Sequence, residues 1–226
     1  MRAIILAAGR GQRMGVLTEN RPKPLLSVAG STLIEHVVAR LRAASIVEIV
    51  INHAYLGQQI VDHLGDGSGH GVSISYAPEP AGALETGGGI LQALPLLGPE
   101  PFIAINADVY SDFPISQLPN APSGFAHLVL VPNPLHHPDG DFAIQPGGYA
   151  RAFGSPRWTM AGIGVYKPQL WRGCKPGPFR LPALLRWYMP QNLISAELYR
   201  GDWFDIGNAE RLHALNQKLI NRPHPS

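Results

Sequence analysis

The sequence predicts an α/β fold, a mostly parallel mixed sheet with helices on both faces. Three observations predict it. Short apolar runs alternate with helix-period segments through the first 120 residues, as βαβ units require. The strand-like runs are rich in β-branched residues and end in glycine or aspartate. A hydrophobic fraction of 45% against 15% charged residues describes a chain with a substantial core.

Residues 3–7 (Ala-Ile-Ile-Leu-Ala) read as a buried strand closed by glycine. A helix follows near Thr32, where Thr32 and Glu35 form a capping box and Leu33, Ile34, Val37, Val38 and Leu41 share one face. Residues 46–51 are the next strand and 56–64 a helix ended by Gly65. A third strand spans 72–76, a helix 86–94, and a fourth strand 102–107 runs straight into Asp108. Ligands of such sheets bind beyond the carboxyl ends of the strands. After residue 120 the alternation lapses: 127–131, 162–166 and 194–199 read as strands, and 182–188 and 209–219 as helices. The 22 prolines and 25 glycines crowd the connections, as in loops shaped around a ligand, and residues 222–226 are expected to fray. One domain over 1–226 is expected, with a nucleotide-binding half to about residue 120 and a sugar-binding half after it, which also supplies a second metal ligand.

A formal net charge of +2 without a Lys/Arg cluster excludes a nucleic-acid face. The single cysteine, Cys174, forms no intramolecular disulfide and lacks the neighbours of a zinc site. The apolar start ends at Gly9, too soon for a leader, and no run approaches the ~20 residues of a membrane span. A cytoplasmic protein without membrane partners is expected. No coiled-coil pattern marks an oligomer.

The first strand opens into residues 6–14, Leu-Ala-Ala-Gly-Arg-Gly-Gln-Arg-Met. A Walker A loop would need Gly-Lys-Ser/Thr, and a dinucleotide turn a small residue where Met14 stands. What remains is a turn whose backbone N–H groups approach phosphate oxygens, with Arg13 adding a fixed charge. Taken alone, the turn fits a tight βα connection equally well. Residues 21–26, Arg-Pro-Lys-Pro-Leu-Leu, hold Lys23 between two prolines that stiffen its backbone. Spacing alone reads Asp108 and Asp205 more readily as loop or cap residues than as ligands, though Mg²⁺ is commonly held by one or two carboxylates plus phosphates and water.

Together these segments, with Leu17-Thr18 and Val28-x-Gly30, resemble the signature of the sugar-1-phosphate nucleotidyltransferases. Ala107-Asp108 and residues 203–207 (Trp-Phe-Asp-Ile-Gly) are similar to that family's strand-end aspartate and Trp-x-Asp-x-Gly. The resemblance spans residues 3 to about 215 and implies a Rossmann-like fold of the nucleotide-diphospho-sugar transferase type. It further implies UTP and a sugar 1-phosphate as substrates and Mg²⁺ on Asp108 and Asp205. By the same resemblance Arg13 and Lys23 are catalytic, and Leu6, Ala8, Gly9, Gly11, Arg13, Glu79 and Gly82 hold the nucleotide, with Glu79 accepting from a pyrimidine N3–H. Lys23, Asn106, Asn133, Gly140, Asp141 and Gly162 are expected at the sugar phosphate. Residues 52–56, 84–89 and 161–166 are similar to the subfamily that uridylylates N-acetylmuramate α-1-phosphate in cell-wall recycling. The lactyl carboxylate of that sugar would attract a cation, with Arg151, Arg157, Arg180 and Arg200 as candidates. Val16 in place of proline, and residues 152–158 in place of a Glu-Lys segment, depart from the family pattern.

Overall fold

The computed structural model describes residues 1–80 and 84–221, so Gly82 and the expected frayed tail 222–226 lie outside the described residues. The apolar run at the start forms β1 (Arg2–Leu6), which leads through 3₁₀ turns at Gln12–Thr18 and Lys23–Leu25 to a small hairpin of β2 (Ser27–Val28) and β3 (Ser31–Thr32). Helix α1 (Leu33–Ala43) begins at the expected capping box: the Thr32 hydroxyl accepts from Glu35 N at 3.3 Å, and Glu35 Oε2 accepts from Thr32 N at 2.6 Å. Burial alone would raise the Glu35 pKa; hydrogen bonds from Thr32 and the nearby His63 outweigh it and lower the pKa. The cap is therefore in place above the ordinary glutamate pKa and is lost as pH falls through the lowered one. Thr32→Ala should destabilise the fold by about 1 kcal/mol in urea unfolding, with a smaller penalty at low pH where the carboxylate is already protonated.

Strand β4 (Glu48–His53), helix α2 (Gly57–Leu64), strand β5 (Ser73–Pro78), helix α3 (Glu85–Leu97) and strand β6 (Phe102–Asn106) complete the alternating half. Helix α3 runs past Pro95, beyond the expected end at 94, because Leu97 is buried against the sheet. Gly98, at φ +83°, stops it. After β7 (Val109–Ser111) come β8 (Ala126–Val131), β9 (Phe142–Gln145), β10 (Tyr149–Arg151), β11 (Arg157–Tyr166), α4 (Leu181–Tyr188), β12 (Ile194–Leu198), β13 (Trp203–Asp205) and α5 (Ala209–Ile220).

One nine-stranded sheet, in the order β5-β4-β1-β6-β11-β8-β12-β10-β9, runs through both halves. Pairings among β5, β4, β1 and β6 are parallel; β11 is antiparallel to both β6 and β8, and β8–β12 is parallel again. Helices α1 and α2 cover one face through Ile34, Val38, Leu41, Ile60 and Leu64, while α3 and α4 cover the other through Ile90, Ala93, Leu181 and Leu185. A smaller cluster of Met14, Leu26, Val28, Leu33, Ile206 and Leu215 seats α5 on the β2–β3 hairpin. Strands β7 and β13 pair antiparallel with Asp205 opposite Val109, and Ile206 N donates to Asp108 O at 2.9 Å. That two-stranded ladder carries residue 205 across the chain to residue 108. Among the described residues no helix is long and apolar enough to cross a membrane.

Candidate active site

A cleft of about 580 Å³ opens at the carboxyl ends of β4, β1 and β6. Its wall is the glycine turn, residues 6–13, faced by Lys23, Asn52, Glu79, Thr86, Asn106 and Asp108. Leu6, Ala8, Gly9, Gly11, Arg13, Lys23, Glu79, Asn106 and Asp108 thus line one cavity. Gly9 has nothing within 4 Å of the position a Cβ would take, so its lack of a side chain leaves open space toward the cleft. Gly11 differs. At φ +68° it turns the chain, and a Cβ there would stand 3.0 Å from Cβ of Lys23. The second glycine therefore fits the lysine stem more than any ligand.

Lys23 is 6% exposed and held by the flanking prolines in a 3₁₀ turn, where its ammonium forms an ion pair with Asp108 Oδ2. A lysine this buried needs such a partner or a phosphate. Arg13, in contrast, is exposed on the cleft wall.

Asn52 is a residue the motif reading left without a role. Buried on β4, it accepts from Ala7 N at 2.9 Å and donates to Glu79 Oε1 at 2.6 Å; Glu79 Oε2 accepts from Leu84 N at 2.9 Å. The only sequence signal was a polar residue closing an apolar strand. Two donors leave a carboxylate with unused lone pairs, so Glu79 retains acceptor capacity toward the cleft. Asn52→Leu should cost about 1–2 kcal/mol, since it leaves a partly buried carboxylate oxygen and the Ala7 N–H without their side-chain partner, and should raise the KM for nucleotide; unfolding curves and initial rates check both. Next to this network, burial lowers the His53 pKa against the opposing pull of Glu79.

The glycines at the start of α3 do not present free amides. Gly87 N and Gly88 N both point at the Phe179 carbonyl, at 2.9 and 3.3 Å, and Trp171 Nε1 donates to Gly87 O. They allow close packing of the segment before α4.

Beyond Asn106 the expected sugar residues follow the sheet. Gly162, at φ +70°, sits where a Cβ would meet Asn106 Nδ2 at 2.6 Å. Asn133 does not reach the cleft lining: it donates to Pro138 O and Arg157 O and accepts from Thr159 Oγ1. Gly140 packs on Asn133, and Asp141 accepts from Met160 N at 2.8 Å. These three brace the loop between β8 and β9. Of the candidate arginines, Arg151 is spent on Ala150 O, Met189 O and Asn192, and Arg180 lies 3.7 Å from Glu85. Arg200 rests over the Trp158 ring at 5.4 Å.

The β7–β13 ladder sets the backbone of Asp205 next to that of Asp108, but Asp205 is not among the residues that line the cleft. Its Oδ1 is buried without a hydrogen bond, 2.6 Å from Arg211 Nη1, and its Oδ2 lies 3.1 Å from His136 Nε2. Among the described residues no group of three or more His, Cys, Asp or Glu gathers as a metal cage. Two aspartates adjacent along the backbone, one with a buried oxygen lacking a hydrogen bond, have the donor chemistry of a hard cation that takes its remaining ligands from phosphates and water.

A parallel-sheet rim that joins a glycine turn, a buried lysine and a carboxylate suits a phosphate-rich ligand. Residues 2–122 match the family described as Nucleotidyl transferase, and the chain belongs to that family. It is 50% identical to the N-acetylmuramate alpha-1-phosphate uridylyltransferase of Neisseria meningitidis serogroup B, over 94% of this chain and 95% of that one. It is 30% identical to the protein of the same name from Caulobacter vibrioides, with 96% of each chain covered. In fold it matches a Bacillus anthracis structure assigned as a glucose-1-phosphate thymidylyltransferase, with a TM-score of 0.83 and 22% identity, covering 100% of this chain and 98% of that one. The protein is an enzyme of the sugar-1-phosphate nucleotidyltransferase kind, and enzymes of its family generally use a divalent metal.

Proposed function

We propose that the chain transfers UMP from UTP to N-acetylmuramate α-1-phosphate, giving UDP-N-acetylmuramate and pyrophosphate in peptidoglycan recycling. What supports the reading is the Lys23–Asp108 ion pair at a strand end, with Asp205 paired to the strand that follows Asp108, in a chain half identical to a uridylyltransferase over nearly its whole length. The residues before about 120 bind the nucleotide, and those after it the sugar and, through Asp205, the metal.

An oxygen of the sugar 1-phosphate attacks the α-phosphorus of UTP in line. The new P–O bond forms as the α–β anhydride bond breaks, and pyrophosphate leaves. Phosphate's second pKa is about 6, so the attacking oxygen is already ionised and no residue need remove a proton. The difficulty is bringing two anions together, so positioning and charge neutralisation supply most of the catalysis. Asp108 and Asp205 would hold Mg²⁺, which would screen the phosphate charges. The backbone of residues 8–11 and Arg13 hold the triphosphate, Lys23 moves from Asp108 to the phosphates, and Glu79 accepts from uracil N3–H. Asn106 and Gly162 floor the acceptor side. Small-molecule substrates and a cytoplasmic location complete the reading.

The test is a pyrophosphate-release screen crossing UTP, GTP and dTTP with N-acetylmuramate, mannose and glucose 1-phosphates. UTP with N-acetylmuramate 1-phosphate should give the highest kcat/KM; a preference for any other pair overturns the assignment.

A further inference from the structure

Each proposed metal carboxylate is covered by a basic side chain: Lys23 on Asp108 and Arg211 on Asp205. The first lysine belongs to the signature, whereas Arg211, in the first turn of α5, belongs to no motif recognised in the sequence. Its position is nonetheless built. Asn208 caps α5 by accepting from Arg211 N at 2.9 Å, which fixes the backbone from which the side chain folds back. Gly207 makes room, since a Cβ there would stand 1.8 Å from Arg211 Nη2. Nη1 donates to His136 Nε2 at 2.6 Å and lies 2.6 Å from Asp205 Oδ1, yet Oδ1 has no well-directed hydrogen bond and Arg211 Nε is buried without a partner. A guanidinium and carboxylate in contact, each with one buried atom left without a hydrogen bond, are poorly matched as a permanent pair.

We propose that Arg211 is a mobile cation of the site: it neutralises Asp205 in the ligand-free protein, yields that carboxylate to the divalent cation, and then binds the 1-phosphate of the acceptor. Two carboxylates that are to share one cation repel, and each basic side chain offsets one of them until the metal arrives. A guanidinium and a metal ion at the same oxygen repel in turn, so the arriving cation displaces the arginine. The displaced fork then stands beside the reacting phosphates, where a planar bidentate donor suits a phosphate dianion. The inference rests on Asp205 being a metal ligand.

The two roles have opposite signs in a binding experiment. Mn²⁺ affinity is measured without substrates, by the free-ion electron paramagnetic resonance signal, for wild type, Asp205→Asn, Arg211→Met and Arg211→Lys. Loss of the competing charge in Arg211→Met should tighten Mn²⁺ binding about tenfold, while the KM for sugar 1-phosphate rises about tenfold and the KM for UTP stays within about twofold. Arg211→Lys should keep wild-type Mn²⁺ affinity and recover part of the acceptor KM. Should Arg211→Met not fold, Arg211→Gln carries the same expectation. A merely structural arginine would weaken both readouts, and that result, or unchanged Mn²⁺ affinity in the neutral variant, overturns the proposal. If Asp205→Asn binds Mn²⁺ as wild type does, the ligand assignment falls and the inference with it, whereas an intact Asp205 effect with no Arg211 effect removes the inference alone.

Discussion

Asp108→Asn should lower pyrophosphate release by about a thousandfold or more while the sheet persists, because the change removes the charge that would hold the divalent cation at the phosphates. Asparagine keeps the shape of aspartate but not its affinity for a hard cation. It also leaves Lys23 behind, 8% exposed at the side chain and without its counter-ion. A fully buried pair loses ~3–5 kcal/mol when one partner goes; Asp108 is itself 39% exposed, so about 2 kcal/mol is expected. The double variant Lys23→Met with Asp108→Asn should therefore regain most of that stability and none of the activity. Denaturant midpoints and a pyrophosphate assay on the four-member cycle separate the effects. Wild-type turnover in Asp108→Asn would remove the residue from the chemistry.

Much of this site was legible before any coordinates because its parts are local. The glycine turn, Lys23 between prolines and Asp108 at a strand end each follow from a few adjacent residues, and the capping box at Thr32 is a four-residue pattern. What adjacency cannot reveal is pairing over distance. Strands β7 and β13 are three residues each, too short for a periodic signal, and they gain definition only from each other across more than ninety residues. Their pairing is what brings Asp205 beside Asp108. Strand β11 begins at Arg157 and not at 162, since Gly162 at φ +70° and a shift in register against β8 interrupt an otherwise continuous strand. The β9–β10 hairpin was missed because its strands are short and its turn, Gly147-Gly148, read as loop. Asn133 and Asp141 carry the residue types of a sugar site, but their hydrogen bonds go to Pro138 in their own loop and to Arg157, Thr159 and Met160 on β11.

Three glycines separate packing from ligand contact, and Gly89→Ala among them should have the second large effect. A methyl at residue 89 would stand 2.3 Å from Glu79 Oε1 and 2.8 Å from Asn52 Nδ2. The obstacle is the tip of a flexible side chain, so Glu79 can swing away. The helix gains about 1 kcal/mol of propensity, which offsets part of the ~1–3 kcal/mol overpacking cost. Swinging away costs Glu79 its Asn52 and Leu84 donors, so stability should fall by about 1–2 kcal/mol, as for Asn52→Leu, while the KM for UTP rises on the order of tenfold to a hundredfold, because the displaced carboxylate no longer meets the base. Gly88→Ala meets the Gly177 carbonyl at 2.2 Å, backbone that cannot yield cheaply, and should lower the melting temperature most. Gly9→Ala meets nothing within 4 Å in the free protein and should leave stability unchanged, but its methyl points where the triphosphate approaches, so UTP binding should weaken. Melting temperature and UTP KM for the three variants give three different patterns. If Gly89→Ala lost stability without any change in KM, Glu79 would be a packing residue and base recognition would have to come from elsewhere on the cleft.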